Sequence, residues 1–181
     1  IAGMHVERDS GGTVLLLREI DADADADDRV LPIFIGPTEA RAIVLAVNDI
    51  TPPRPHTHDL FVNVLDALDT RLTRVDITDL TDGTFIAELE LTTAEQVHRV
   101  SSRPSDAIAL ATRHQVPIFV NPTVLDDAGV RVESETDSEL DDDAVDAIVE
   151  EFHEFLATAS PSDFEATTED TGEPEAEDPD A

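Results

Sequence analysis

The sequence predicts an α+β fold: a compact single domain of mixed strands, with two hairpins and three to four helices. Two turn signals and the apolar runs around them carry that expectation. Ser10-Gly11-Gly12 separates two short apolar stretches, and Thr81-Asp82-Gly83 separates two longer ones that alternate apolar and polar residues. Apolar runs of helical spacing lie between and after these hairpins, which favours α+β over a doubly wound sheet.

Taken in order, Ala2 to Arg8 and Thr13 to Glu19 form the first hairpin, and Ile20 to Arg29 is a loop. Val30 to Ile35 reads as a buried strand. Glu39 to Asn48 is apolar on nearly every side, so a buried helix is expected. Pro52 to Pro55 is a rigid loop, and Thr57 is the expected N-cap of a helix from His58 to about Leu68, with Leu60, Val64, Leu65 and Leu68 at helical spacing. Arg74 to Leu80 and Phe85 to Leu91 form the second hairpin, and Val97 to Val100 a further strand. Pro104 to about His114 is a helix offering Ile108, Leu110 and Ala111 for burial. Pro117 to Val120 reads as a short buried strand, and Asp126-Asp127-Ala128-Gly129 as a turn. Leu140 to Leu156 is the last helix, with Val145, Ile148, Val149, Phe152 and Leu156 on one face. These elements divide the chain into a core domain at 1–135, a C-terminal helix at 136–158 and an acidic tail at 159–181. The tail holds too little apolar area to offset its ordering entropy.

The chain has 181 residues, no cysteine and a formal net charge of −31. Disulfides and thiolate metal sites are thereby excluded. All 11 basic residues are Arg, and Lys is absent; residues 1–131 alone carry −11. An acidic surface stripped of Lys fits molar salt, where the Debye length is about 3 Å and self-repulsion is screened. A halophilic protein is therefore expected. No stretch approaches the roughly 18 apolar residues of a membrane span, and the first residues lack a signal-peptide pattern, so a cytoplasmic location is expected.

The chemistry-bearing residues gather at helix starts. Asp21 to Asp28 suggests calcium, but an EF-hand loop begun at Asp21 places Ala26 and Pro32 where Gly and Glu are needed, so a solvated loop is expected. His58-Asp59 follows Thr57. One reading is capping, with Asp at the positive helix end; the other makes Asp59 a metal ligand and His58 a ligand or general base. Ser102-Arg103-Pro104-Ser105-Asp106 divides the same way: Ser caps and Pro suits the first turn, yet Arg103 beside free backbone N–H groups concentrates positive charge fit for phosphate. Glu39, after Gly36-Pro37-Thr38, is a third acid at a helix start. If the three starts converge, Glu39, Asp59 and Asp106 could share one metal. His56, His98, His114 and His153 lack ligand spacing and read as surface residues. With no Trp or Tyr, only Phe can stack on bases.

Three separated motifs resemble the bifunctional nuclease domain family. They are Leu31-Pro32-Ile33-Phe34-Ile35-Gly36 with Glu39-Ala40, then Arg54-Pro55 with Thr57-His58-Asp59-Leu60, and Ser102-Arg103-Pro104-Ser105-Asp106-Ala107-Ile108-Ala109-Leu110-Ala111. Pro117-Ile118-Phe119-Val120 fits as well. The resemblance runs from the start of the chain to about Arg131. It implies a compact α+β domain that self-associates and a nuclease activity on RNA and DNA. Two features depart from it: His56 stands where members usually carry an apolar residue, and −31 is a poor match for a polyanionic substrate.

The leading expectation is a metal-assisted phosphodiesterase acting on single-stranded RNA or DNA. Arg54, Arg103 and Ser105 would hold phosphate. Glu39, Asp59 and Asp106 would bind Mg²⁺ or Mn²⁺, and His58, Asp59 and Asp106 would be catalytic. The alternative is a non-catalytic homo-oligomeric module that binds a small anion or a protein partner. In that case the same arginines pin the fold and the acids cap helices.

Overall fold

A computed structural model of the chain describes residues 1–6, 12–20, 29–131 and 147–150. Among these the order is β1 (Gly3–Val6), β2 (Thr13–Arg18), β3 (Arg29–Ile35), α1 (Pro37–Val47), α2 (Thr57–Ala67), β4 (Arg71–Thr81) and β5 (Thr84–Thr92). There follow β6 (Val97–Ser102), α3 (Pro104–His114), β7 (Ile118–Val120), α4 (Pro122–Ala128) and β8 (Val130–Arg131). Residues 147–150 are helical. Most of the Ser10-Gly11-Gly12 turn, the Asp21 to Asp28 loop, most of the expected 136–158 helix and the 159–181 tail lie outside the described residues.

The architecture is α+β, with two four-stranded sheets in the orders β1-β2-β3-β8 and β6-β5-β4-β7. The first is antiparallel throughout; in the second, β7 runs parallel to β4. Asp82 and Gly83 turn β4 into β5 with φ of 51° and 69°. Two positive φ values match the right-handed strand twist in a two-residue loop, which is why Asp-Gly serves here. The first sheet is covered on both faces. Leu15, Leu17, Leu31, Ile33 and Ile35 join the main core, while Val14, Leu16 and Val30 pack with Val130, Ile148 and Val149.

Helix α3 is the centre of that core. Pro104 at its first position has a pre-set φ and no N–H to leave unpaired. Ala107 to Ala111 are all buried, so the helix is enclosed by α1, α2, β3, β4 and β5 rather than packed on one face. Small Ala at 107, 109 and 111 lets those neighbours approach, and Ile108 fills the space. Burying such an Ile is worth about 1.5–3 kcal/mol.

Several expectations are corrected. Helix α1 buries only Ile43 and Ala46; Val44 and Val47 are exposed because α1 lies outside α3 with one face against it. Helix α2 likewise buries Leu65 alone among its apolar residues, leaving Leu60, Val64 and the following Leu68 exposed. His56, not Thr57, is the N-cap of α2, and Arg103, not Ser102, is that of α3. Strand β7 is half-exposed: it sits at the sheet edge with Phe119 outward under the Arg74 guanidinium, 4.1 Å from the ring centroid. The stretch read as a turn at 126–129 is the end of α4, whose start Asn121 caps by accepting the Thr123 N–H.

Candidate site at three helix starts

Each of the three family-like motifs ends in a helix whose third residue is an acid: Glu39 in α1, Asp59 in α2 and Asp106 in α3. A carboxylate there faces unpaired backbone N–H groups and the positive end of the helix dipole. Asp59 shows the local reason most directly, accepting the His56 N–H at 3.0 Å.

The fold brings these starts together through one arginine. Arg103 donates from Nε to Asp106 Oδ2 at 2.7 Å and from Nη2 to Glu39 Oε1 at 2.8 Å. Asp106 Oδ1 then meets His58 Nε2 at 3.0 Å. A continuous chain Glu39–Arg103–Asp106–His58 thus crosses from α1 through α3 to α2. Gly36 makes room for it: a Cβ at that position would collide with Glu39 Oε2, so glycine lets the carboxylate fold back over its own helix start.

Burial pushes the Asp106 carboxyl up, but the hydrogen bonds from Arg103 and His58 outweigh it and hold the group below the usual carboxylate value. Arg103 is held above the usual guanidinium value by its bond to Asp106 first and by Glu39 second. Asp106 is therefore an ionised acceptor for the His58 Nε2–H, which leaves Nδ1 outside that bond. The His58 side chain is 15 % exposed and that of Arg103 66 %, so the cation faces solvent and the imidazole sits behind it.

Asp59 is not part of this chain. It pairs with Arg113 of α3, Nε to Oδ1 at 2.9 Å, and Arg113 also donates from Nη1 to the Ile50 carbonyl at 3.2 Å. Arg113 escaped the sequence reading. The available signal was its place seven residues after Asp106, two turns along the same helix face. Arg54 lies exposed in the α1–α2 loop and makes no ion pair among the described residues. Ser105 follows Pro104 in the first turn of α3 and is buried. His56 and His98 are exposed, as expected, whereas His114 is half-buried with its Nε2 closed off from solvent.

The expected metal ligands do not form a ligand set in this arrangement. Arg103 lies between Glu39 and Asp106, and Asp59 faces Arg113. Among the described residues no three His, Asp or Glu side chains gather as an ion would need. Nor is any described helix long and apolar enough to cross a membrane.

The same stretch of chain decides the family. A family model of the bifunctional nuclease domain matches residues 16–133, which contain every residue of the junction. The chain belongs to the bifunctional nuclease domain family. Uncharacterized proteins from two Mycobacterium tuberculosis strains are each 44% identical to it over 167 residues, covering 92% of this chain and 97% of theirs. Bifunctional nuclease 1 of Oryza sativa is 29% identical over 118 residues, which are 64% of this chain and 36% of the rice protein. Likeness to the mycobacterial proteins thus runs nearly end to end, and likeness to the rice nuclease is confined to a stretch the length of the family domain.

Proposed function

We propose that this chain is a nuclease that hydrolyses phosphodiester bonds in single-stranded RNA or DNA at the junction of α1, α2 and α3, and that it works at high salt. The observation that carries the reading is the hydrogen-bonded chain Arg103–Asp106–His58. Family membership and the rice relative's name support the reaction class.

Arg103 uses Nε and Nη2 on the two acids and retains Nη1 for a phosphate oxygen, as a planar guanidinium allows. Asp106 fixes the His58 tautomer. A water attacking phosphorus gives its proton to His58 Nδ1 as the P–O bond to the leaving sugar oxygen breaks, and the imidazolium returns that proton through solvent to the departing alkoxide. Arg54, exposed in the loop before α2, would steer the strand. Mg²⁺ or Mn²⁺ enters no step, because Arg103 already occupies the space between two of the three acids.

The test is incubation of the full chain with labelled single-stranded RNA and DNA in molar KCl, with Mg²⁺, Mn²⁺ or EDTA. His58→Ala and Asp106→Asn should each lower cleavage by about 10²-fold or more, the usual worth of a positioned base. Cleavage equal in wild type and both variants would refute the reading, and cleavage abolished by EDTA would refute its metal-free form.

One observation favours a second reading, a non-catalytic homo-oligomeric module that binds a small anion or a protein partner. The apolar residues Val44, Val47, Leu60, Phe61 and Val64 of α1 and α2 are exposed, as a self-associating surface requires. Light scattering in molar KCl measures the assembly. A phosphate-induced rise in melting temperature, lost in Arg103→Ala and unaccompanied by cleavage, would select this reading.

A further inference from the structure

Natural proteins keep the end strands of their sheets short, charged, bulged or covered, because a bare strand edge recruits another strand. Among the described residues three of the four end strands are short: β1 has four residues, β7 three and β8 two. Strand β6 is the exception. It runs for six residues, Val97–Ser102, with no proline, no lysine and an unbroken register on β5. All of it before Ser102 is exposed, including Val97 at 57 % and Val100 at 42 %.

The backbone determines what this edge offers. The Thr93 N–H bonds the Gln96 carbonyl at 3.0 Å and closes the β5–β6 hairpin. Alternation from that pair turns the N–H and C=O groups of His98, Val100 and Ser102 toward β5, and those of Val97, Arg99 and Ser101 outward. Among the described residues nothing bonds that outer row.

We propose that β6 pairs antiparallel with β6 of a second copy of this chain, joining two four-stranded sheets into one of eight strands. The edge is self-complementary in one register. A two-fold axis at Val100 sets that residue against Val100 of the second copy, and sets Arg99 of each copy against Ser101 of the other. Arg99 and Ser101 then exchange backbone bonds across the seam. Val100 shares a sheet face with buried Leu89, its neighbour on β5, so the valine contact carries the apolar face across the seam. On the opposite face Glu88 lies beside Ser101, and Arg99 of the second copy comes next in that row. Within one copy Asp76, Glu88 and Glu90 already surround Arg99 at 3.8, 3.4 and 3.0 Å, so a second guanidinium meets a surplus of acid. Moving the axis to Arg99 would instead set two guanidiniums face to face, which disfavours that register.

The interface does not depend on whether the junction cleaves. Strand β6 nevertheless leads straight into Arg103, the N-cap of α3, so the second copy would steady the strand that delivers that guanidinium. Two chains of net charge −31 also repel each other, so pairing should need salt.

The test is light scattering on the full chain after size exclusion, from about 1 to 100 µM, the range of moderate association. In molar KCl twice the mass of one chain is expected. Ser101→Pro removes an outward donor from each copy without touching the β5 ladder, and should raise the dissociation constant about 10-fold or more. Val100→Lys sets two ammonium groups together where two valines met, and should weaken pairing in the same way. Val44→Lys, on the exposed face of α1, should leave the mass unchanged. Hydrogen exchange locates the contact: the Arg99 and Ser101 amides should slow as concentration rises. Should Ser101→Pro fail to fold, Val100→Lys and the exchange rates decide. A monomer throughout, whose edge would then await a strand from another protein, overturns the proposal. So does a dimer that both β6 variants leave intact, or one that Val44→Lys dissolves in their place.

Discussion

Arg113→Ala should destabilise the domain more than a surface ion pair would. The Arg113 and Asp59 side chains are 19 % and 17 % exposed, and the pair closes at 2.9 Å. Its charge-assisted bond is worth about 1.5–3 kcal/mol, and the second donation, to the Ile50 carbonyl, adds about 0.5–1.5. Freeing a long side chain returns up to about 2 kcal/mol of rotamer entropy, which leaves a net loss of roughly 2 kcal/mol. For an ordered core of this size that lowers the melting temperature by about 6–10 °C. The assay is thermal and denaturant unfolding of wild type, Arg113→Ala, Asp59→Asn and the double variant, read as a cycle with an expected coupling of about 1–2 kcal/mol. Arg113→Lys should recover only part of the loss, because one ammonium cannot make both bonds in the same fork geometry. The consequence for the site is direct: Arg113 anchors the turn that carries His58, so its loss should also loosen the His58–Asp106 contact. A loss below about 0.5 kcal/mol, or full additivity in the cycle, would place the pair among ordinary exposed bridges and refute the reasoning.

Three further outcomes follow from the same geometry. The Asp106 carboxyl lies below its usual value when folded, so its stabilising share is complete above the ordinary carboxylate range and is lost as pH falls through it, below about pH 4. Melting curves between pH 7 and pH 3 should show an acid limb that Asp106→Asn flattens. Gly36→Ala adds a Cβ against Glu39 Oε2 at an ordinary φ of −73°, so it should lower the melting temperature by displacing Glu39 from Arg103, and should do nothing in a Glu39→Ala background. Lowering KCl from molar to about 0.1 M lengthens the Debye length from about 3 to about 10 Å and should destabilise the protein through its own acidic surface; a melting temperature flat or higher at low salt contradicts the halophilic reading.

Local signals were enough for much of this fold. Asp82-Gly83, Pro104 and the alternation of β4 and β5 act through a few neighbouring residues, so their elements stand close to where the sequence places them. Burial was less legible. Whether Leu60 or Val64 faces a neighbour depends on which side of α2 lies against α3, and helical spacing defines a stripe without saying what covers it. Helix α4 was missed because Asp126 and Asp127 read as a turn, although Asn121-Pro122 is a cap followed by a first-turn proline. At the site, the types Arg, His and Asp at helix starts were visible, and their pairing was not. That Arg103 reaches Glu39, 64 residues away, while Asp59 turns to Arg113 is a property of how α1 and α2 lean on α3.

If the junction holds a phosphate as proposed, its electrostatics would allow an acid-rich chain to do so. Each helix start carries about half a positive charge, so three of them together would repel one another. The acids at Glu39, Asp59 and Asp106 reverse that sign, and Arg103 with Arg113 nearly restores it. Counting all of these, the junction comes out close to neutral and slightly positive, inside a region of the chain that carries −11. In molar salt a group feels little beyond about 3 Å, so a phosphate there responds to Arg103 and the helix ends, and the acidic remainder is screened. In dilute salt the balance reverses, because about 10 Å of reach brings the acids of the surrounding surface into the sum. On the proposed reading, the sign of the junction and not that of the whole protein would govern binding in molar salt.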